Sequence, residues 1–372
     1  MRNYYGLKCI QKLWNAMNKA DLSLQCITKS LNKCNCSSSF RILICQAIFL
    51  IKVYVSKQIT GLLMKDINFG AFESLYDFYT AFPNEKTCIA YLEKVLWPNG
   101  VVSPYDVSSK VYKRGDGYYR CKNTGKNFNV RIGTIFENTK IPLRKWFLAM
   151  YFVANHKKGI SATQLSSDIG VTLKTAWFLL QKVRRTLHRG VHRIKLDGDV
   201  ELDETFVGGK NKNRHANKKA KKCQGRAFVD KVPVMGMLER GGNVVCKVVN
   251  DTSVRSLTPP ILRYVKRTAT LYTDEWCGYD KVRRLYHTEM VDHGKGLYVN
   301  GNAYTNSIEG FWGNYCKRPI NGVYNRVSRK YLQRYFDEFC MRYNHRKVSN
   351  AQRFEIMMSN SNIRITQKQI AA

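Results

Sequence analysis

A mixed α/β fold is what the second half of this chain predicts, and three observations carry that expectation. Across residues 199–207, apolar Val200 and Leu202 alternate with Glu201 and Asp203, the period of a strand with an acidic face. Residues 232–238 and 244–250 are apolar runs joined by Arg240-Gly241-Gly242-Asn243, which reads as a hairpin turn. Thr270-Leu271-Tyr272-Thr273 is a short buried strand ending at Asp274, preceded by a helix near residues 256–264, whose start Pro259 and Pro260 should delay. A later helix follows Thr305, a plausible N-cap, and carries Asn306 and Glu309 three apart on one face. Strand, hairpin, helix, strand and late helix is the order of a ribonuclease-H-like fold, expected over residues 196–346.

The elements ahead of that domain read in order as follows. Residues 1–63 form an N-terminal extension of uncertain role, with five cysteines and an apolar run at 42–54 interrupted by Gln46 and Lys52. The run is too short and too broken to span a bilayer, although a poor signal peptide is a rival reading. Residues 64–134 hold two short amphipathic helices around Pro83-Asn84, then two strand-like pieces with the outline of a zinc ribbon. The knuckle positions, however, are Ser103, Asp106, Cys121 and Thr124, a poor tetrahedral set for structural zinc.

Residues 133–187 read as helical. One helix starts at Pro142 and runs to about Asn155. A short helix with Ala162, Leu165 and Ile169 follows, then a Gly170-Val171-Thr172 turn and a helix striped by Leu173, Ala176, Trp177, Leu180 and Val183. That is helix-turn-helix spacing, placed within 135–195, although any helical hairpin in a bundle gives the same pattern. Residues 347–372 read as a basic and polar tail.

Charge narrows the function. Against 62 Lys and Arg stand 27 Asp and Glu, a net charge of +35 with a sequence pI near 9.8. Such a chain draws phosphate backbones by counterion release. With 44% hydrophobic and 12% aromatic residues, general disorder is excluded. Twelve cysteines contain one close pair, Cys34 and Cys36, so free thiols in a reducing compartment are expected. Double-stranded DNA is the expected partner and a membrane is not. Candidate contacts are Lys174, Lys182, Arg184 and Arg185 on the second helix of the pair. Lys210, Lys212, Arg214, Lys218, Lys219, Lys221, Lys222 and Arg226 form a run of eight cations without an acid. Lys317 and Arg318 lie beyond the acidic helix. The bland reading of the long run is a solubilising loop. Phe311, Trp312 and Leu332 read as core rather than base-stacking platforms.

In the predicted fold the acids on the first strand, the fourth strand and the late helix meet at one end of the sheet. Hard Mg2+ or Mn2+ ions prefer such carboxylates. Two ions about 4 Å apart can activate a water or 3′-hydroxyl and stabilise the leaving oxygen in an in-line phosphoryl displacement.

Three segments carry a resemblance: residues 201–210 (Glu-Leu-Asp-Glu-Thr-Phe-Val-Gly-Gly-Lys), Thr273-Asp274-Glu275 with Gly278-Tyr279, and residues 305–312 (Thr-Asn-Ser-Ile-Glu-Gly-Phe-Trp). Through these the chain resembles the DDE-type insertion-sequence transposases that pair a zinc ribbon with this catalytic domain, the ISXO2-like group related to Merlin elements. The resemblance covers roughly residues 72–346. It implies that Asp203 and Asp274 are metal ligands and that Glu309, 35 positions beyond Asp274, is the third. Some members use an asparagine near this place, so Asn306 is the rival third ligand. It also implies metal-dependent strand cleavage and 3′-hydroxyl transfer, by a homodimer or higher synaptic complex. The compartment would be that of DNA, cytoplasm and nucleoid in a prokaryote or nucleus in a eukaryote. The family normally has cysteines where this chain has Ser103, Asp106 and Thr124, and a histidine where it has Tyr304. Those departures leave two alternatives open, a decayed or domesticated DNA-binding descendant and a ribonuclease-H-like nuclease.

Overall fold

Two side-chain-capped helices open the part of the chain that the structure, a computed structural model, describes: residues 72–208, 215, 217, 231–290, 305–325 and 327–371. Helix α1 (Leu75–Ala81) starts at Ser74, whose hydroxyl accepts from the Asp77 amide while the Asp77 carboxylate accepts from the Ser74 amide. Helix α2 (Glu85–Leu96) is capped by Asn84, on the far side of the predicted turn. Strands β1 (Val111–Lys113), β2 (Tyr119–Cys121) and β3 (Asn127–Phe128) then form a small antiparallel sheet. Tyr119, Cys121 and Phe128 face inward from it onto Trp97 and Val111.

Residues 133–142 are turns, where the sequence reading expected helix. Gly133 and Asn138 adopt positive φ (80° and 55°), which a right-handed helix cannot accommodate. Helix α3 (Leu143–Asn155) begins straight after Pro142. Helices α4 (Ala162–Ile169) and α5 (Leu173–Val191) follow with the predicted three-residue turn. Gly170 ends α4 in the left-handed region, and Thr172 caps α5 by accepting from the Thr175 amide.

The main sheet contains β4 (Asp199–Val207), β5 (Val232–Glu239), β6 (Val244–Val248), β7 (Thr270–Thr273) and β8 (His287–Met290). Its order is β6-β5-β4-β7-β8. β5 runs antiparallel to both neighbours, whereas β4, β7 and β8 are parallel, so the sheet is mixed. Helix α6 (Val254–Tyr264) makes the crossover to β7 and starts ahead of its two prolines, which sit inside it. The short helix α7 (Asp280–Arg283) leads into β8, a strand of His-Thr-Glu-Met with no apolar pattern to announce it.

Helix α8 (Asn306–Phe311) continues through π-helical windings at Trp312–Lys317 and Ile320–Tyr324. Helix α9 (Leu332–Asn344) packs between α5 and β6. A buried ion cluster locks that packing: Glu338 accepts from Arg184 Nε at 2.5 Å, from the Tyr324 hydroxyl at 2.6 Å and from Arg342. Burial alone would raise the Glu338 carboxyl, but the two guanidiniums overcome it and hold the group at about 2.

The expected C-terminal tail is instead part of the fold. Helix α10 (Asn350–Ser359) inserts Phe354 among Phe72, Phe78, Phe82, Tyr91 and Phe147, at centroid distances of 5.4 to 5.9 Å. Helix α11 (Gln367–Ala371) lies against α5. The segment reads as polar because only one face of each helix is apolar. Among the described residues no helix is long and apolar enough to cross a membrane. The N-terminal extension, with its apolar run, lies outside them.

Candidate active site

Of the four carboxylates on the acidic strand β4, Glu201, Asp203 and Glu204 have three different surroundings. Glu201 is fully buried and has a structural task. One of its oxygens accepts from Arg240 Nε at 2.9 Å, and the other accepts from the Ile308 amide at 2.9 Å, at the start of α8. Arg240 is held in turn over the Tyr272 ring at 3.7 Å. Glu201 therefore fixes the helix that bears Asn306 and Glu309. At the N-terminus of that helix Thr305 makes no side-chain capping bond, contrary to expectation, and the Glu201 carboxylate supplies an acceptor in the first turn.

Asp203 lies two residues on, at the centre of the site. Its Oδ2 accepts from the Trp312 indole Nε1 at 2.9 Å. Burial pushes its carboxyl up to about 6, the Trp312 and Glu204 donors pull against that, and the carboxylates of Asp274 and Glu309 push it up further. Asp203 thus lies on β4, Asp274 just past the end of β7, and Glu309 on α8. Asp274 is positioned by the turn after β7: its Oδ1 accepts from the Trp276 amide at 3.1 Å, and its carbonyl accepts from Arg283 at 2.7 Å. Glu309 and Asn306 are both exposed on α8. Glu204 accepts from the buried Tyr279 hydroxyl, whose own ionisation is pushed well up by burial and by Glu204, Asp203 and Asp274.

The close approach of Trp312 depends on Gly236, the residue paired with Asp203 across β4 and β5. A Cβ at Gly236 would stand 2.5 Å from Trp312 Cζ2, 2.6 Å from Cη2 and 3.0 Å from the Ile308 Cδ1 methyl. The missing side chain is what lets the indole lie on the sheet and reach the carboxylate. Phe311, Trp312 and Leu332 are all buried, as the sequence suggested, but the indole N–H of Trp312 serves the site as well. One signal for Gly236 was present: a lone glycine inside an apolar strand marks a close approach.

The predicted cations divide sharply. Lys174, Lys317 and Arg318 are exposed. Arg185 is half-buried and donates to the Gln369 carbonyl at 3.0 Å. Lys182 and Arg184 are buried, which corrects their assignment as DNA contacts. Lys182 donates to the Ile135 carbonyl at 3.0 Å and sits over the Phe178 and Trp146 rings. Arg184 donates to Glu338 and lies over the Tyr335 ring, 4.0 Å away. Helical periodicity alone could not separate these two from their exposed neighbours. Lys210, Lys212, Arg214, Lys218, Lys219, Lys221, Lys222 and Arg226, like Tyr304, lie outside the described residues.

The ribbon positions converge only in part. Burial pushes the Cys121 thiol up, but hydroxyls of Ser103, Ser109 and Thr124 and the Thr124 amide hydrogen-bond to it and bring it down to about 6. Asp106 points elsewhere: it accepts from Ser108 and from Asn123 Nδ2, the latter at 2.7 Å. Ser109 stands beside the thiol where the sequence reading expected Asp106. One thiol and three hydroxyls do not fit a structural zinc, and this knuckle is held by hydrogen bonds.

Comparison with known proteins adds the following. Residues 195–344 match the family described as "ISXO2-like transposase domain". A protein of Halobacterium salinarum, "Uncharacterized protein in transposable element ISH50", is 30% identical over 244 residues, covering 61% of this chain and 81% of that one. A chain in the crystal structure of a pre-cleavage Mos1 transpososome aligns at 14% identity over 62% of this chain and 82% of its own, with a TM-score of 0.20. The Mos1 strand transfer complex gives 15%, 62%, 82% and 0.21 in the same order.

Proposed function

The chain belongs to the ISXO2-like transposase family, and on that premise we propose that it cuts the ends of a mobile element and joins the freed 3′-hydroxyls to target DNA. The observation that carries the reading is the pair of bonds that seat the helix of Glu309 on the acidic strand, Trp312 Nε1 to Asp203 and the Ile308 amide to Glu201. The strand order, with its second strand antiparallel to the rest, supports a ribonuclease-H-like domain around them.

The donors fit a hard divalent cation. All are carboxylate oxygens, the ligand type that hard divalent cations prefer. Asp203, Asp274 and Glu309 would hold Mg2+ or Mn2+, with Asn306 as the neighbouring oxygen donor on α8. When bound, the metal supplies activation of the attacking oxygen and charge stabilisation at the leaving oxygen. The chain's own part is positioning. Trp312 fixes the Asp203 carboxylate through Nε1, Glu201 fixes α8 through the Ile308 amide, and Tyr279 fixes Glu204.

A net charge of +35 supplies the attraction for the DNA backbone. The exposed Lys174, at the first turn of α5, and the exposed Lys317 and Arg318, after α8, are the described cations we assign to phosphate contact, α4 and α5 acting as a helix-turn-helix. Cutting two ends together calls for at least two copies of the chain.

The test is incubation of the full chain with labelled element-end duplex, a plasmid target and Mg2+ or Mn2+, beside Asp203→Ala (D203A). Metal-dependent joining by the wild type alone supports the proposal. Cutting without joining would make the protein a nuclease, and binding without cutting in either protein would leave a silent DNA-binding descendant.

A further inference from the structure

Outside the carboxylate cluster, the chain gathers a second group of ligand-type side chains. His188 in the last turn of α5 and His192, its C-terminal cap, stand one turn apart, facing Asp337 on α9. His188 Nδ1 is 2.9 Å from Asp337 Oδ2, and His192 Nε2 is 3.0 Å from Asp337 Oδ1. One ligand atom from each residue lies within 4.8 Å of the other two. Zinc–ligand bonds of about 2.0–2.2 Å in tetrahedral geometry place ligand atoms about 3.3–3.6 Å apart. Small side-chain rotations therefore suffice to admit an ion.

Two further contacts orient the group from behind. His192 Nδ1 is 2.7 Å from the Tyr264 hydroxyl on α6. With an ion in place of the proton between His192 and Asp337, Nε2 would present its lone pair to the metal and Nδ1–H would donate to the Tyr264 oxygen. Gln333 Nε2 donates to Asp337 Oδ1 at 2.8 Å. Partners of this kind, fixing tautomer and carboxylate from outside, are what metal ligands require. Asp337 is 1% exposed and the His192 side chain 5%, whereas His188 is 48% exposed. The site is thus anchored in the core and open on one side, for entry of an ion and for a water as fourth ligand.

We infer that His188, His192 and Asp337 form a binding site for a borderline divalent metal of the zinc class, fastening α5 to α9 beside α6. Two imidazoles and one carboxylate select zinc over magnesium, which prefers an all-oxygen set. The helix that carries the exposed Lys174 at one end would be clamped by the metal to the catalytic domain at its other end. The ribbon knuckle, with a single thiol, offers zinc no comparable set.

The test uses the untagged full chain stripped with chelator, then titrated with zinc chloride in excess Mg2+. Binding is read by competition with a chromophoric chelator, and the ligands by X-ray absorption at the zinc edge. One zinc per chain with an imidazole signature is expected. His188→Ala (H188A), at a half-exposed position, should lose binding while keeping the far-ultraviolet circular dichroism of the wild type. Tyr264→Phe (Y264F) should weaken binding by about 10- to 100-fold without changing stoichiometry, and D203A should leave it intact. No zinc bound by the wild type, equal affinity in H188A, or an edge spectrum without imidazole would each overturn the inference. None of these results depends on whether the protein transposes DNA.

Discussion

Gly236→Ala (G236A) tests whether the sheet surface under Trp312 sets the geometry at Asp203. The new methyl would lie 2.5 and 2.6 Å from two indole carbons, against ordinary contacts of 3.4 to 4 Å. Relief requires the ring to move by about 0.9 Å. Added to the present 2.9 Å between Nε1 and Asp203 Oδ2, that gives about 3.8 Å, beyond hydrogen-bond reach. Overpacking of this kind costs about 1–3 kcal/mol of stability. Loss of a hydrogen bond to a charged carboxylate adds about 1.5–3 kcal/mol, so metal-dependent cleavage should fall on the order of 10- to 100-fold even where the protein stays folded. Trp312→Phe (W312F) removes both the donor and the atoms the methyl would strike. In the W312F background the alanine should therefore cost under about 1 kcal/mol, a strong coupling in a double-mutant cycle. Urea unfolding gives the stabilities, and single-turnover cleavage with Mn2+ gives the activity. A G236A protein as stable and active as wild type, or strictly additive changes in the double mutant, would refute the reasoning.

Other consequences follow from the same geometry. Asp203, held at about 6 in the fold against a usual 3.8, destabilises the protein once ionised. The penalty is absent below the unfolded value, grows between 3.8 and about 6, and is constant above. Asp203→Asn (D203N) should be inactive with Mn2+ and, measured without divalent metal, more stable by up to about 3 kcal/mol near neutral pH, with the gain gone below about pH 4. Destabilisation of D203N at neutral pH would count against the cluster. Glu338 works the opposite way: depressed from 4.5 to about 2, it stabilises above 4.5 and loses that contribution as pH falls toward 2. Glu338→Gln should cost on the order of 3 kcal/mol at neutral pH, measured by thermal unfolding, and a neutral result would show the two guanidiniums to be otherwise satisfied. Glu201→Ala should destabilise by about 1.5–3 kcal/mol by removing the carboxylate that accepts from Arg240 and from the Ile308 amide and should also reduce cleavage. Normal cleavage by this variant would deny Glu201 its hold on α8.

How much of this was legible in the chain follows the range of the forces involved. Alternation in β4, the Gly-Gly turn after β5 and the three-residue turn between α4 and α5 are local, so these elements read correctly from the residues. Asp203, Asp274 and Glu309 were singled out through the family resemblance, and as ligands they remain a proposal. Short β8 and the turns at 133–142 escaped, because neighbouring elements rather than their own patterns decide them. The same holds for the C-terminal helices, whose polar surfaces hid an apolar face that packs on distant aromatic rings.

The sequence by itself determined the chemical inventory: a basic, aromatic-rich chain, an acidic strand, and a helical pair ahead of a mixed sheet. Only the tertiary structure decided what each charge is for. Among neighbouring cations on one helix, it buried Lys182 and Arg184 and left Lys174 outside. On one strand it bound Glu201 to Arg240 and the Ile308 amide, and Asp203 to the Trp312 indole. It brought His188, His192 and Asp337 together across 145 or more positions of chain. Burial and long-range pairing are properties of packed elements, and a one-dimensional pattern records which residues are present without recording which of them meet.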